Sequence, residues 1–374
     1  MDKAGIYGYI WVYLWVLKGQ RMKKPLIIIT NEILKLIAGI DEFKGQWQAI
    51  GNLAPDRLEA LKRVATIESI GSSTRIEGVK LTDREIEALL SGLETKSFST
   101  RDEEEVAGYA EAMALVYESH NDIPITENHI KQLHKLLLQY SSKDIRHRGE
   151  YKKMPNHVEA FSPEGKRLGV VFETATPFET PGEMKSLVDW SNSEFEKEEL
   201  HPLLIIGVFA VHFLAIHPFQ DGNGRLSRIL TMLLLLKSGY HYVSYSSLES
   251  VIEKNKDKYY LSLRKTQGTF KSEKEDFEPW LTFFLLSLRT QTTILAGKIA
   301  REKIMVSLPK LSKQVLELIK EHWELAISDI ESMTGENRNT IKVRLRELVK
   351  DHYLEKHGTG KGTRYTLAIR GNTK

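Results

Sequence analysis

Between His217 and Arg228 the chain reads HPFQDGNGRLSR. One histidine, one aspartate, two glycines and two arginines within twelve residues are the parts that phosphate chemistry uses. Gly222 and Gly224 flank Asn223, allow positive φ and leave amide N–H groups bare, and a helix starting just after them adds the positive end of its dipole. That is a cradle for an anion. Arg225 and Arg228 lie three apart on adjoining positions of one helix face, where both can reach the same polyphosphate. Asp221 supplies the hard oxygen ligand that a Mg²⁺ bridging two phosphates takes. His217, placed before the loop and followed by Pro218, is free to accept a proton from an incoming hydroxyl. An ordinary helix connection with an Asp-Gly turn uses the same letters. The run lacks the Lys-Ser/Thr ending of a P-loop, and no strand precedes it, so P-loop and Rossmann geometries are excluded.

The elements around this run read as helices. Residues 202–216, PLLIIGVFAVHFLAI, are apolar on nearly every side, as in a central helix surrounded by others, and a second buried helix resumes over Arg225 to Lys237. From Asn31 to Gly92 apolar positions recur at three and four, with Gly71, Gly78 and Gly92 as punctuation. Helical stretches follow at Glu103 to Ser119 and Glu127 to Gln139. Gly165 to Pro181, GKRLGVVFETATPFETP, reads as a short hairpin that leaves through two prolines before a helix near Gly182. Further helices run through KNKDKYYLSLRK and EPWLTFFLLSLRTQTTILAGKIA, and Pro309 marks a break. The body is therefore mainly α, with one small β excursion.

Beyond Pro309 the grammar changes. Leu311 to His322 is an amphipathic helix. SDIE, Ser328 to Glu331, is a capping box that opens a second helix closed by Gly335, and a third runs from Asn339 to Asp351. YLEKHGTGKGTRYTLAI then gives two alternating strands around a Gly-rich tip. Asn337 to Lys374 holds ten Lys or Arg against three Asp or Glu. This module, residues 308–374, resembles a winged helix whose third helix would enter a DNA major groove, with Arg338, Lys342, Arg344 and Arg346 facing phosphates or base edges and Lys361 on the wing. A winged helix that binds protein or dimerises, its basic residues merely solvated, is the alternative.

Composition bounds the rest. The 374 residues are 41% hydrophobic and 28% charged, a soluble globular balance, and a net charge of +3 requires any basic patch to be local. With no cysteine, thiolate metal sites and cysteine nucleophiles are excluded, and a cytoplasmic setting is expected. GYIWVYLWVLK, residues 8–18, is too short to span a membrane and has no signal-peptide flanks. Translation is expected to begin at Met22, which makes residues 1–21 a non-native or disordered extension; an interfacial anchor is the alternative.

The twelve residues of 217–228 are similar, without a departure, to the Fic family signature HPFxDGNGRxxR. The resemblance implies a helical enzyme that transfers AMP from ATP to a hydroxyl of a protein target, itself included, with ATP and Mg²⁺ as requirements. It implies that His217 is the general base, that Asp221 holds Mg²⁺, that Gly222, Asn223, Gly224 and Arg225 cradle the α and β phosphates, and that Arg228 takes the γ phosphate. The hairpin at Val171, Phe172, Glu173 and Thr174 falls at the place of the family's flap, which aligns a target segment by β-augmentation; Phe172 as a core residue is the alternative. Tyr259 and Tyr260 match a nucleotide-contacting tyrosine pair and Gln267 a nearby amide, with helix packing as the other reading.

Upstream, SSTRIEG fits the pattern (S/T)xxxE(G/N) on an inhibitory helix of one Fic class, here Ser73, Glu77 and Gly78. With Gly78 as a C′ residue, Glu77 sits in the last helical turn, where the dipole disfavours a negative charge by roughly 0.3–1 kcal/mol. The family's partner for it is Arg228. The expected domains are 22–102 with the inhibitory helix, 103–300 as the catalytic part and 308–374 as the winged helix. Three other readings stay open: transfer of a different group, although Gly222 and Gly224 argue against phosphate; removal of AMP from a modified target; and a DNA-binding regulator whose body senses nucleotide or forms a homodimer.

Overall fold

The computed structural model describes residue 25 and residues 27–49, 55–92, 97–161, 167–270, 272 and 274–368. The N-terminal segment 1–21 and its Met22 start lie outside them. The chain divides into two compact units, Met1–Leu295 and Ala296–Lys374.

In the first unit the described helices run in the order Asn31–Ala49, Pro55–Ile76, Asp83–Ser91, Arg101–Ser119, Glu127–Leu137, Thr180–Lys197, Pro202–Ile216, Asn223–Lys237, Leu248–Lys254 and Lys256–Gln267. The helix Glu278–Ser307 follows and holds the division between the units. Thr82 and Thr100 open two of them with reciprocal capping boxes to Glu85 and Glu103. Every residue from Leu203 to Ile216 is buried, as its unbroken apolar pattern demands, so this helix is the axis of the unit. Among the described residues no helix is long and apolar enough to cross a membrane.

Gly78 and Gly92 end helices as expected, but Gly71 does not. It lies inside Pro55–Ile76, where a β-carbon would stand 2.6 Å from the Asp83 carboxylate and 3.0 Å from Ile86, so its role is close approach by the next helix. The hairpin also differs from the sequence reading. Its strands are His157–Phe161 and Arg167–Glu173, so Gly165 to Pro181 holds only the second strand. The first lies wholly before Gly165, outside the segment read as the hairpin. The following helix starts at Thr180, with Pro181 in its first turn, where a missing N–H costs nothing. Phe172 pairs with Val158 and Val170 with Glu159, which leaves Val171 as the extra residue of a β-bulge.

The second unit packs Lys310–His322, Ile327–Thr334 and Arg338–Lys350 around Val315, Ile319, Ile330, Ile341, Leu345 and Leu348. Its antiparallel sheet places Arg364–Leu367 between Leu354–His357 and a strand absent from the sequence reading, Glu324–Ala326. Three residues are too few to reveal alternation. The expected Ser328 cap is not formed: the Asp329 carboxylate accepts from the Ala326 N–H at 2.9 Å, because Ile327 already begins the helix. Gly335 closes that helix at φ 69°.

Gly108 allows Arg101–Ser119 to touch the end of Glu127–Leu137, since a β-carbon there would overlap the Leu137 carbonyl. Gly108→Ala is expected to lose about 1–3 kcal/mol in urea denaturation. Gly182→Ala, with open space around it, is expected to gain about 0.5 kcal/mol by restricting the unfolded chain.

Candidate active site

The central helix ends abruptly at His217, whose φ of 51° and ψ of 60° are left-handed. A non-glycine residue held there costs on the order of 1 kcal/mol, and such strain persists only where the surroundings impose it. Here the His217 N–H donates to Phe213 O at 2.9 Å, and Nδ1–H is directed at Leu214 O at 3.2 Å. That tautomer leaves Nε2 with its lone pair. Burial lowers the imidazole pKa to about 4, reinforced by the Lys152 charge and opposed by the Leu214 carbonyl, Glu77 and Asp221. At neutral pH the ring is an uncharged base.

The turn that follows is closed by Asn223, whose Oδ1 accepts from Phe219 N at 2.9 Å while Nδ2 donates to Phe219 O at 2.7 Å. Its side chain is therefore committed, and only its backbone can belong to a cradle. Gly222, at φ 78°, caps Asn223–Lys237, whose first-turn N–H groups have no carbonyl behind them. The Asp221 carboxylate accepts from Gly222 N at 2.6 Å and faces Lys143 at 3.2 Å, Arg225 at 3.4 Å and Arg101 at 3.7 Å. Burial would raise its pKa, but Arg225 and Lys143 outweigh that and hold it ionised.

The two arginines of this helix part company. Arg225 pairs with Glu105, from Arg101–Ser119, at 2.9 Å. Arg228, 5% exposed, reaches the end of Pro55–Ile76: Nε donates to Ser73 Oγ at 2.7 Å, and Nη2 donates to Ser73 O at 2.9 Å and to Glu77 Oε1 at 2.7 Å. Glu77 follows the last helical residue rather than sitting within the last turn, and Gly78 at φ 109° turns the chain away. A β-carbon at Gly224 would overlap the Glu77 carboxylate, so this acid rests on the bare start of the helix. Its burial raises the pKa, but Arg228, then Arg225 and His217, bring it below the usual range. Tyr259 is buried beside Arg228, within hydrogen-bonding reach, whereas Tyr260 is 40% exposed. The Gln267 amide is spent on Val211 O at 3.4 Å, in the packing between helices. Val171, Phe172 and Glu173 lie on the second hairpin strand, and Thr174, just after it, donates to Asn156 O at 2.7 Å.

Sequence reasoning missed several residues that shape the site. His134 is fully buried; its Nδ1 accepts from Gly149 N at 2.8 Å, so Nε2–H donates to Asp221 O at 2.9 Å. Its ring stacks on Phe219 at 3.8 Å, and burial lowers its pKa to about 4. Lys152, Asn156 and Glu105 were missed as well. Nothing local distinguishes them from solvated polar residues, although His134 does fall on the apolar stripe of its helix.

Among the described residues no group of three or more His, Asp or Glu could hold a metal ion. Asp221 alone suits a Mg²⁺ carried in by phosphates, which needs only one or two protein carboxylates, and does not suit a resident metal.

Residues 124–235, which contain the base, the turn and both arginines, match the profile of the Fic/DOC family. These residues form a Fic/DOC family domain. The protein adenylyltransferase Fic of Drosophila willistoni is 29% identical over 210 residues, 54% of this chain and 38% of that one, and the Drosophila grimshawi protein of that description is 27% identical over 227 residues, 59% and 43%. The chain thus spans about two fifths of the length of these curated relatives. Among solved structures, a Fic family protein from Desulfovibrio desulfuricans shares the fold at a TM-score of 0.60 and 24% identity, covering 93% of this chain and 99% of that one. A Fic domain containing signaling protein from Bacteroides thetaiotaomicron gives 0.52 and 25%, covering 70% and 94%.

The buried histidines set an acid limit on this Fic domain. His134, His212 and His217 have folded pKa values of about 4, against 6.5 when unfolded. Between those values the unfolded chain binds more protons, so their contribution is intact above pH 6.5 and is lost as pH falls toward 4. At pH 5 the loss is on the order of 2 kcal/mol per histidine. The melting temperature is expected to drop steadily from pH 7 to pH 5, and calorimetry showing it level across that range would contradict the assignment.

Proposed function

We propose that this chain is a protein adenylyltransferase held in check by its own Glu77. His217 Nε2 takes the proton of a Ser, Thr or Tyr hydroxyl on a protein target, and the oxygen attacks the α phosphorus of ATP. The bond to the β-phosphate oxygen breaks, and AMP stays on the target while pyrophosphate leaves. The amides of Gly222, Asn223 and Gly224 and the Arg225 guanidinium face the α and β phosphates, and Arg228 faces the γ phosphate. Asp221 would hold a Mg²⁺ arriving with ATP, which would supply charge neutralisation. Tyr259 and Tyr260 border the nucleotide, and Gln267 serves as packing. The bulged strand at Val171 to Glu173, with Thr174 just after it, offers its backbone to an extended target segment. A protein of this chemistry is expected in the cytoplasm, and the chain itself is one candidate target.

The observation that carries this reading is the Glu77 carboxylate at 2.7 Å from Arg228 and against Gly224: an anion already stands where a terminal phosphate would go. With Ser73 and Glu77 holding the guanidinium, ATP settles without its γ phosphate engaged, and the α phosphorus is misaligned for attack.

Label from α-phosphate ATP should therefore appear on protein, at least about tenfold more with Glu77→Gly than with the parent, since a hydrogen bond between charged groups contributes roughly 1.5–3 kcal/mol. Adding His217→Ala should abolish it, and γ-phosphate label should not transfer. Equal labelling by parent and Glu77→Gly would refute the restraint; labelling that survives His217→Ala would refute the base.

A second activity, DNA binding through a winged helix, is favoured by one feature of Arg338–Lys350: Lys342, Arg346 and Lys350 are exposed along one face of it. Arg338 and Arg344 are engaged by Glu331 and Glu347 at 2.8 and 2.7 Å and so count for less, and Lys361 lies in the turn between the last two strands. In gel shifts, Lys342→Ala with Arg346→Ala should weaken binding across sequences and lower the salt slope by about two. An unchanged slope would return this face to solvent.

A further inference from the structure

Lys152 has none of the roles above, yet its ammonium is buried, 3% exposed, beside the strained histidine. Nζ donates to Ile216 O at 2.9 Å, to Asn156 Oδ1 at 2.8 Å and to Thr174 Oγ1 at 3.0 Å. These three oxygens are neutral. Asn156 immediately precedes the first hairpin strand and Thr174 immediately follows the second, so two of the acceptors are the two roots of the hairpin. The third belongs to the residue before His217. From the other side the Lys152 N–H donates to Pro218 O at 2.8 Å, and Asn156 Nδ2 donates to Phe219 O at 2.8 Å.

One residue therefore grips the carbonyls on both sides of the left-handed His217. A lysine is rarely buried without a carboxylate partner, and doing so is expensive unless every donor is satisfied. Here all three N–H bonds have acceptors, and the positive charge adds to the field that keeps the His217 ring neutral.

We propose that Lys152 is the positioning residue that imposes the His217 backbone conformation and locks both hairpin roots to it, so that the target-aligning strand and the base form one rigid piece. Its significance for catalysis rests on the adenylyltransferase reading; its structural content does not.

Burial lowers the Lys152 pKa to about 8. The titratable groups facing it are Glu183, in the helix after the hairpin, and Glu179, just before that helix, which oppose that shift, and the neutral His217. The lock is therefore complete at pH 7 and weakens as pH rises through about 8, when a donor and the charge are lost. Arginine in its place stays charged throughout.

Amide hydrogen exchange on the full chain tests this, with rates corrected for intrinsic pH dependence. Lys152→Met should speed exchange in His157–Phe161 and Arg167–Glu173 by at least about tenfold, with the interior of Pro202–Ile216 unchanged. The unmutated chain should loosen in the same strands between pH 7 and pH 9, while Lys152→Arg should not. Equal hairpin protection at both pH values in the unmutated chain would overturn the proposal, as would an arginine variant that loosens in parallel. In the Glu77→Gly background, Lys152→Met should lower self-labelling from α-phosphate ATP at least about tenfold while the Kd for a non-hydrolysable ATP analogue stays within about twofold. A matching loss of analogue affinity would also count against it. If Glu77→Gly itself transfers no label, the adenylyltransferase reading fails, and the exchange result alone decides the role of Lys152.

Discussion

A guanidinium buried at the start of a helix must have an anion beside it. Arg228 is 5% exposed, and the N-terminal end of Asn223–Lys237 adds positive potential to its charge. Left unpaired in such a place it would cost several kcal/mol, so the site is never stable empty of negative charge. In this structure the anion comes from the protein, as Glu77. Much of the first unit serves that contact: Pro55–Ile76 must be long enough to deliver Ser73 and Glu77, Gly78 must turn the chain away at φ 109°, and Gly71 must let the next helix pack close behind.

On the proposed reading the same contact is replaceable. Glu77 stands at the C-terminal end of its own helix, where the dipole disfavours a carboxylate, and its side chain keeps 31% of its surface in solvent. Its stabilisation comes from Arg228, with Arg225 contributing less. A phosphate offers the same guanidinium more oxygens, more charge and the free amides of the helix start. On the proposed reading, restraint and activation are thus one competition between two anions for a single cation, and no large rearrangement of the fold is required.

What the sequence made legible follows from the range of the interactions. Elements governed by neighbours three or four residues apart were read closely: the apolar run at 202–216 is a helix over those very residues, and Gly78 and Gly335 stop helices as glycines do. The signature turn was legible for the same reason, its glycines and charges being contiguous. Its internal wiring was not. The Asn223 side-chain amide closes the turn on Phe219, and Arg225 answers to Glu105, 120 positions upstream. Lys152 and His134 act across 64 and 87 positions, and no periodicity records a contact of that span. The hairpin was misplaced because its first strand carries no turn residue of its own. The Glu77 to Arg228 pair, 151 positions apart, was reached only because a local pattern and a family likeness pointed to the same two residues.

Gly224 shows why the two proposed states cannot be tuned separately. A β-carbon there would overlap the carboxylate of Glu77, so the intramolecular anion needs bare backbone at this position. A phosphate needs the same bareness to reach the amides, since its oxygens must come within about 2.7–3.1 Å of their nitrogens. The glycine is therefore demanded twice, once by the restraint and once by the chemistry. A side chain added to evict Glu77 would also close the cradle to the nucleotide. Release has to act on the other partner, either by loss of the carboxylate or by movement of the helix end that carries it, and the Ser73 contacts with Arg228 place that helix end and the guanidinium under common control.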